Sequence, residues 1–275
     1  MALNFQKMQG AGNDFVLLDL RAQKFDVDAE KARILADRHT GVGCDQLLVL
    51  HPADSPQHLL RFEVWNADGS RAEQCGNGVR CIGLYVLTRG ETPDGEFSIE
   101  GPVAPVHLAD AGGGQIRVNM GAPDFRPEAV PVALPPVGQG YHLSVNGQEY
   151  EIGAVSMGNP HALLEVPDIQ NAPLKALGPL VSEHEGFPKG CNAGFAQVIH
   201  RGEIHLRVHE RGSGETRACG SGACAAAAIL MRNGSLDTQV LVKQVGGDLI
   251  IDWTGESQPI MMTGPATHVY EGNLL

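Results

Sequence analysis

Apolar residues along this chain fall mainly in short runs separated by glycine and proline. Examples are Phe15-Val16-Leu17-Leu18, Gln46–Leu50, Arg61–Val64, Ile116-Arg117-Val118, Ala162–Val166, Gly194–Ile199, Ile204–Val208, Val240-Leu241-Val242 and Leu249-Ile250-Ile251. Some alternate with polar residues and others are apolar throughout, the patterns of half-buried and fully buried strands. Helical spacing is rarer. Asp28–Thr40 carries it after an acidic start, and Gly78–Thr88 and Gly222–Asn233 carry it behind glycine-rich turns, with Gly234 as a stop for the last. The proline- and glycine-rich stretch Gly121–Gly140 reads as the passage between two halves.

The two later helices open on nearly the same residues. Cys75-Gly76-Asn77-Gly78-Val79-Arg80-Cys81 and Cys219-Gly220-Ser221-Gly222-Ala223-Cys224 lie 144 residues apart, about half the chain. Other landmarks repeat in the same order. Gly12-Asn13-Asp14-Phe15 is echoed by Gly158-Asn159-Pro160-His161, Cys44-Asp45-Gln46-Leu47 by Cys191-Asn192-Ala193-Gly194, and Arg61–Asn66 by His205–Glu210. Asn66 precedes Cys75 by nine residues, and Glu210 precedes Cys219 by nine. Four landmarks at matched spacing predict a duplicated α/β (α+β) chain, with a site where two equivalent faces meet.

A cysteine that leads through Gly-x-Gly into a helix sits where unpaired backbone N–H groups meet the positive end of the helix dipole. That position lowers a thiol's pKa and attracts a carboxylate. Two such ends around one anion would make a proton-transfer site with two faces. A free cysteine is most often simply a small buried apolar residue, which suits Cys81 and Cys224 inside their apolar helices, and Cys44 and Cys191 as well. The paired glycine context sets Cys75 and Cys219 apart.

Zinc does not fit. Cys-x5-Cys and Cys-x4-Cys are not ligand knuckles, and His205 and His209 fall on the polar positions of an alternating strand; no metal is expected. Gly220–Ala225 matches a dinucleotide fingerprint, but the preceding Glu210–Arg217 is polar and turn-like where a buried strand is required. Pyridoxal phosphate needs a lysine, and none lies within the repeated glycine motifs. Cofactor-free chemistry is expected. Asn13, Gln46, Asn66, Asn77, Asn159 and Asn192 recur at the landmarks; each alone reads as a turn residue, but together they offer neutral donors and acceptors to a zwitterion. Glu210 and Arg211 add a carboxylate for an ammonium and a guanidinium for a carboxylate, and His161 and Glu210 are candidates to pass protons to the thiols.

The composition narrows the partners. Of 275 residues 43% are hydrophobic and 19% charged, which is globular, and 20 basic against 32 acidic side chains give a net charge of −12. Nucleic acid is therefore not an expected partner, nor is a membrane, since the longest apolar run, Ala223–Met231, is too short to span one. No secretion signal is read at Met1–Gly10, and six cysteines suit a reducing compartment, so the expected location is cytoplasmic.

Five segments, namely Gly10–Phe15, Arg38–Gln46, Cys75–Cys81, Met157–His161 and Glu210–Cys224, together resemble diaminopimelate epimerase in order over essentially the whole chain. The resemblance implies two pseudo-symmetric lobes, each a β-barrel-like sheet around a central helix. One would comprise residues 1–120 with 264–275 and the other 121–263, with the active site in the cleft between them. It further implies a homodimer that interconverts LL- and meso-2,6-diaminopimelate without cofactor, for lysine and peptidoglycan synthesis. Carried over by position, Cys75 and Cys219 are the acid–base pair, and His161 and Glu210 tune or relay their protons. Gly76, Asn77, Gly220 and Ser221 cradle the carboxylate at the reacting end. Asn13, Gln46, Asn66, Asn159, Asn192, Glu210 and Arg211 hold the substrate's amino and carboxyl groups. Other readings are a cofactor-free proline or hydroxyproline racemase and a catalytically silent amino-acid-binding module.

Overall fold

A helix that is apolar on every side needs partners on every side. Two helices of this chain are of that kind, α2 (Gly76–Thr88) and α4 (Gly220–Arg232). In a computed structural model that describes residues 3–72, 75–92 and 94–274, each is the centre of its own unit. One unit comprises Met1–Asn119 with Thr263–Leu275, the other Met120–Met262.

In the first unit the order is β1 (Leu3–Gly10), β2 (Asn13–Asp19), α1 (Ala29–Ala36), β3 (Gln46–His51), β4 (Arg61–Asn66), β5 (Arg71–Ala72), α2, β6 (Glu96–Glu100), β7 (Pro105–Gly112) and β8 (Gln115–Asn119). The second unit runs β9 (Pro136–Val137), β10 (Gly140–Val145), β11 (Gln148–Ser156), β12 (Pro160–Glu165), α3 (Leu174–Ser182), β13 (Asn192–His200), β14 (Glu203–Glu210), β15 (Gly214–Thr216), α4, β16 (Gln239–Gln244) and β17 (Gly247–Asp252). β18 (Met261–Pro265) then leads back to β19 (Thr267–Leu274), which pairs antiparallel with β1.

The duplication is visible strand by strand. β2 lies parallel to β3, β3 antiparallel to β4, and β4 antiparallel to β5 and parallel to β6. β12, β13, β14, β15 and β16 repeat that pattern, pair for pair. Helix α1 bridges the first parallel pair and α3 the second, as a parallel crossover requires. α2 packs on β1, β2, β7, β8 and β19, and α4 on β11, β12, β13, β14, β16 and β17. Both lobes are thus strands wrapped around one buried helix, mostly sheet with few helices.

Local sequence explains the ends of these elements. Asp28 caps α1 by accepting the Lys31 backbone N–H at 2.9 Å. The helix stops at Ala36 rather than reaching Thr40, because the Asp37 carboxylate takes the backbone N–H groups of His39 and Thr40 and folds a turn there. α2 and α4 begin two residues earlier than expected, at Gly76 and Gly220, each with its cysteine as the extended cap residue. The third residues, Gly78 and Gly222, are inside the helices. A Cβ on Gly78 would stand 2.8 Å from a Leu48 methyl, and one on Gly222 3.0 Å from a Val208 methyl. These glycines therefore permit close helix–strand packing rather than a turn.

The two-residue connection of β1 and β2 does need positive φ. Ala11 and Gly12 adopt 52° and 78°, as a tight hairpin demands, and this sets Asn13 at the head of β2. Helix α3 was hidden by Pro173, Gly178 and Pro179; burial of Leu174, Leu177 and Val181 in the second core overrides those breakers. Gly121–Gly140 is not a passage. It lies within the second unit, bridges Asp124 to Ser156, and gives Val130 and Val132 to the core. No helix of the described residues is long and apolar enough to cross a membrane.

Candidate active site

Each unit carries one cysteine station at the start of its central helix. In the first unit, Cys75 is partly buried, with Sγ 3.7 Å from Asn13 Oδ1. Asn13 Oδ1 also accepts from Asn77 Nδ2 at 3.4 Å, while Asn13 Nδ2 donates to Asp45 Oδ2 at 3.0 Å. Asn77 Oδ1 accepts from Arg80 Nη2 at 2.8 Å, and Arg80 is fully buried although charged. Behind this row stands an ionic cluster. Arg38 bridges Asp14 (2.7 and 2.9 Å) and Asp45 (2.8 Å), and buried Lys7 bonds Asp14 and the Gly43 carbonyl. Burial works to raise the Asp14 carboxyl, but Arg38, Lys7 and Asp45 outweigh it and hold the group well below the usual carboxylate range. Gln46 donates Nε2–H to Asn66 Oδ1 at 2.8 Å, and Asn66 Nδ2 reaches Ser70 Oγ. Gln46 Oε1 is buried with no hydrogen-bond partner among the described residues.

In the second unit, Cys219 is buried. Its Sγ accepts the Gly222 backbone N–H at 3.4 Å and lies 3.6 Å from Ser221 Oγ, and its own N–H goes to Gln244 Oε1 at 2.8 Å. The expectation that a helix start lowers the thiol's pKa fails here. Burial, and after it the Glu210 charge, push Cys219 well above an ordinary thiol, and the Gly222 N–H and Ser221 only offset part of this. The helix end is a fraction of a charge, whereas the loss of water and a full carboxylate are each larger. Glu210 is itself held by Thr216, whose hydroxyl donates to Oε1 at 2.5 Å.

His161 lies in β12, fully enclosed, with Nε2 3.0 Å from Asn159 Oδ1. Burial, helped by the Arg211 charge, lowers its pKa to about 3. It is therefore a neutral imidazole that gives Nε2–H to Asn159 and keeps its lone pair on Nδ1. Asn192 Oδ1 accepts the Arg211 backbone N–H at 3.0 Å, and its Nδ2 reaches the Pro160 carbonyl at 3.4 Å, so this residue ties β12 to the Arg211 turn. Arg211 Nη1 bonds the Lys189 carbonyl at 2.5 Å.

Strand register corrects one of the internal echoes. Phe15 pairs with Gln46 and His161 with Asn192. Since Phe15 and His161 are equivalent, Gln46 matches Asn192, not Ala193, and Asp45 matches Cys191. One residue fewer between Cys191 and the strand start accounts for the slip. The first unit thus sets Gln46 and Asn66 side by side where the second has Asn192 and Glu210. Sequence reasoning missed Asp45, Arg80, Thr216 and Gln244. Arg80 carried a signal, being a charge inside an otherwise apolar helix.

Solved structures with this fold include a probable proline racemase from Agrobacterium radiobacter K84, with TM-score 0.73 at 15% identity over 99% of this chain and 93% of that one. Another is a phenazine biosynthesis protein of the PhzF family from Bacillus anthracis, with TM-score 0.70 at 16% identity over 100% and 99%. The class is therefore the two-lobed, duplicated α/β fold that these proteins share. Sequence is more specific. The Diaminopimelate epimerase family model matches residues 5–126 and 153–269. Diaminopimelate epimerases of Thioalkalivibrio sulfidiphilus and Ectopseudomonas mendocina are 48% and 47% identical, each over 100% of this chain and 99% of their own length. The chain belongs to the diaminopimelate epimerase family.

Proposed function

We propose that this protein interconverts LL- and meso-2,6-diaminopimelate without a cofactor, moving a proton on and off one α-carbon with Cys75 and Cys219. The observation that carries this reading is the equivalent placement of two cysteines as cap residues of the two buried helices. An amino-acid α-proton is very weakly acidic when no electron sink is present. One sulfur must be a thiolate to take it while the other, as a thiol, returns a proton to the opposite face. As the proton leaves, negative charge builds on the α-carboxylate. The first N–H groups of α2 and α4, at Gly76, Asn77, Gly220 and Ser221, are preorganised donors for it, each worth about 3–4 kcal/mol when well aimed.

Glu210 is the acceptor for the Cys219 proton, and its Thr216 bond fixes which oxygen stays free. Neutral His161, braced by Asn159, offers a lone pair without adding charge. Gln46 Oε1, buried and without a donor among the described residues, suits a substrate ammonium, with Asn13, Asn66, Asn192 and Arg211 completing the polar set. The reading includes a homodimer and a cytoplasmic location; the six cysteines, all free thiols, suit such a reducing compartment.

The test is LL-diaminopimelate in D2O with reduced protein and no added cofactor, followed by NMR. Deuterium at the α-carbon together with the meso isomer is the expected result. No exchange would sink the proposal, and proline would be the next ligand tried. A finer test is Thr216→Val, which keeps shape but removes the donor to Glu210. A hydrogen bond to a charged group is worth about 1.5–3 kcal/mol, so exchange is expected to fall roughly ten-fold or more, with a melting temperature lowered by several degrees but the protein folded at assay temperature. An unchanged rate would remove Thr216 from the machinery.

A further inference from the structure

The hydrogen-bond row that reaches Cys75 has its polarity fixed at both ends by groups with only one choice. Arg80 is a guanidinium with no acceptor, so the atom of Asn77 that it bonds at 2.8 Å is the carbonyl oxygen. That turns Asn77 Nδ2 toward Asn13. At the other end Asp45 is a carboxylate and can only accept. Its Oδ2 takes Asn13 Nδ2 at 3.0 Å and the Asp14 backbone N–H at 3.1 Å, and its Oδ1 takes Arg38. Both constraints turn Asn13 the same way. Its carbonyl oxygen faces Cys75 Sγ at 3.7 Å, and a carbonyl requires the sulfur to be the donor. Were the amide inverted, an N–H would face the sulfur and favour the thiolate.

We propose that Asp45 and Arg80 are positioning residues that fix the direction of the row Arg80–Asn77–Asn13–Asp45, so that Asn13 holds Cys75 as a thiol, the proton donor of the pair, until substrate binds. The functional meaning of this rests on the acid–base role proposed above for Cys75. The arrangement of the row does not.

Among the described residues, the charged and titratable groups wired to the row are Lys7 of β1, Asp14 of β2, Arg38 and Asp45 ahead of β3, and Arg80 of α2, with Cys81 a second thiol that feels Cys75. Lys7 and Arg38 hold the two carboxylates. Other charged or titratable groups on strands packed against α2, His107, Asp110, Arg117, His268 and Glu271, are exposed.

The test is the pH dependence of Cys75 alkylation by iodoacetamide, read by peptide mass spectrometry. Asp45→Ala removes the acceptor, and the midpoint is expected to fall by roughly 0.5–1 pH unit, the scale of one hydrogen bond. Asp45→Asn removes the same charge but keeps an oxygen for the two donors at Oδ2, and is expected to restore the wild-type midpoint. An unchanged or raised midpoint in Asp45→Ala overturns the proposal. An equal fall in both variants also overturns it, because charge alone would then explain the shift. Cys75→Ala separates the two ideas. If it still epimerises while the Asp45→Ala midpoint moves and Asp45→Asn restores it, the acid–base role falls and the row stands. If it is inactive and the midpoint does not move, only the row falls.

Discussion

Replacing Cys219 by alanine is expected to lower epimerisation by at least about 10³-fold, and Cys75→Ala to do the same, with both proteins folded. General acid–base catalysis alone contributes about 10²–10⁴, and in the proposed scheme either loss removes one of two obligatory partners. The structural cost is small by comparison. Cys219 is buried at the start of its own helix, so removing one sulfur costs on the order of 1 kcal/mol. Thermal melts by circular dichroism check the fold, and α-proton exchange in D2O checks the chemistry. Each variant keeps one thiol, so any residual exchange is expected from one stereoisomer only and without inversion. A single variant with near-native turnover would end the two-thiol scheme. The raised Cys219 pKa adds a detail, because burial and the Glu210 charge keep this sulfur a thiol at neutral pH, and in the proposed scheme Glu210 takes its proton.

Much of this was legible in the chain because the duplication repeats chemistry as well as pattern. The cysteine–glycine helix starts, the strands at Gln46, Arg61 and Ile204 and the central apolar helices follow from periodicity and turn residues. What was hidden has identifiable physical causes. Helix α3 contains residues that break helices elsewhere, and only its tertiary burial makes it a helix. The pKa of Cys219 depends on enclosure and on a carboxylate nine residues away, and helix-start reasoning sees neither. The slip between Gln46 and Asn192 depends on strand register, which a shared cysteine spacing does not fix. Asp45 and Thr216 act by orienting other side chains, and such roles are invisible until distances are known.

His161 makes acid the pH direction in which this protein weakens. Burial and Arg211 lower its folded pKa to about 3, while the unfolded chain titrates near 6.5. Between those values the unfolded state binds a proton that the folded state refuses, so stability rises with pH through the window and is lost as pH falls below 6.5. The full span corresponds to about 4–5 kcal/mol. Of this, about 2 kcal/mol is expected between pH 7 and pH 5. The paired carboxylates of Asp14, Asp19, Glu63 and Glu91 are depressed, so their contributions are lost only as pH falls below ordinary carboxylate values. Urea unfolding at pH 7 and pH 5, run on the protein and on His161→Gln side by side, isolates the imidazole. His161→Gln retains a donor for Asn159 Oδ1 but has no titration, and is expected to flatten that interval whatever its stability at pH 7. An equal loss between pH 7 and pH 5 in the variant would show that the enclosed imidazole is not the group responsible. The same enclosure keeps His161 neutral at ordinary pH, so its free ring nitrogen serves as a hydrogen-bond acceptor and the imidazole neither stores nor readily takes up a proton.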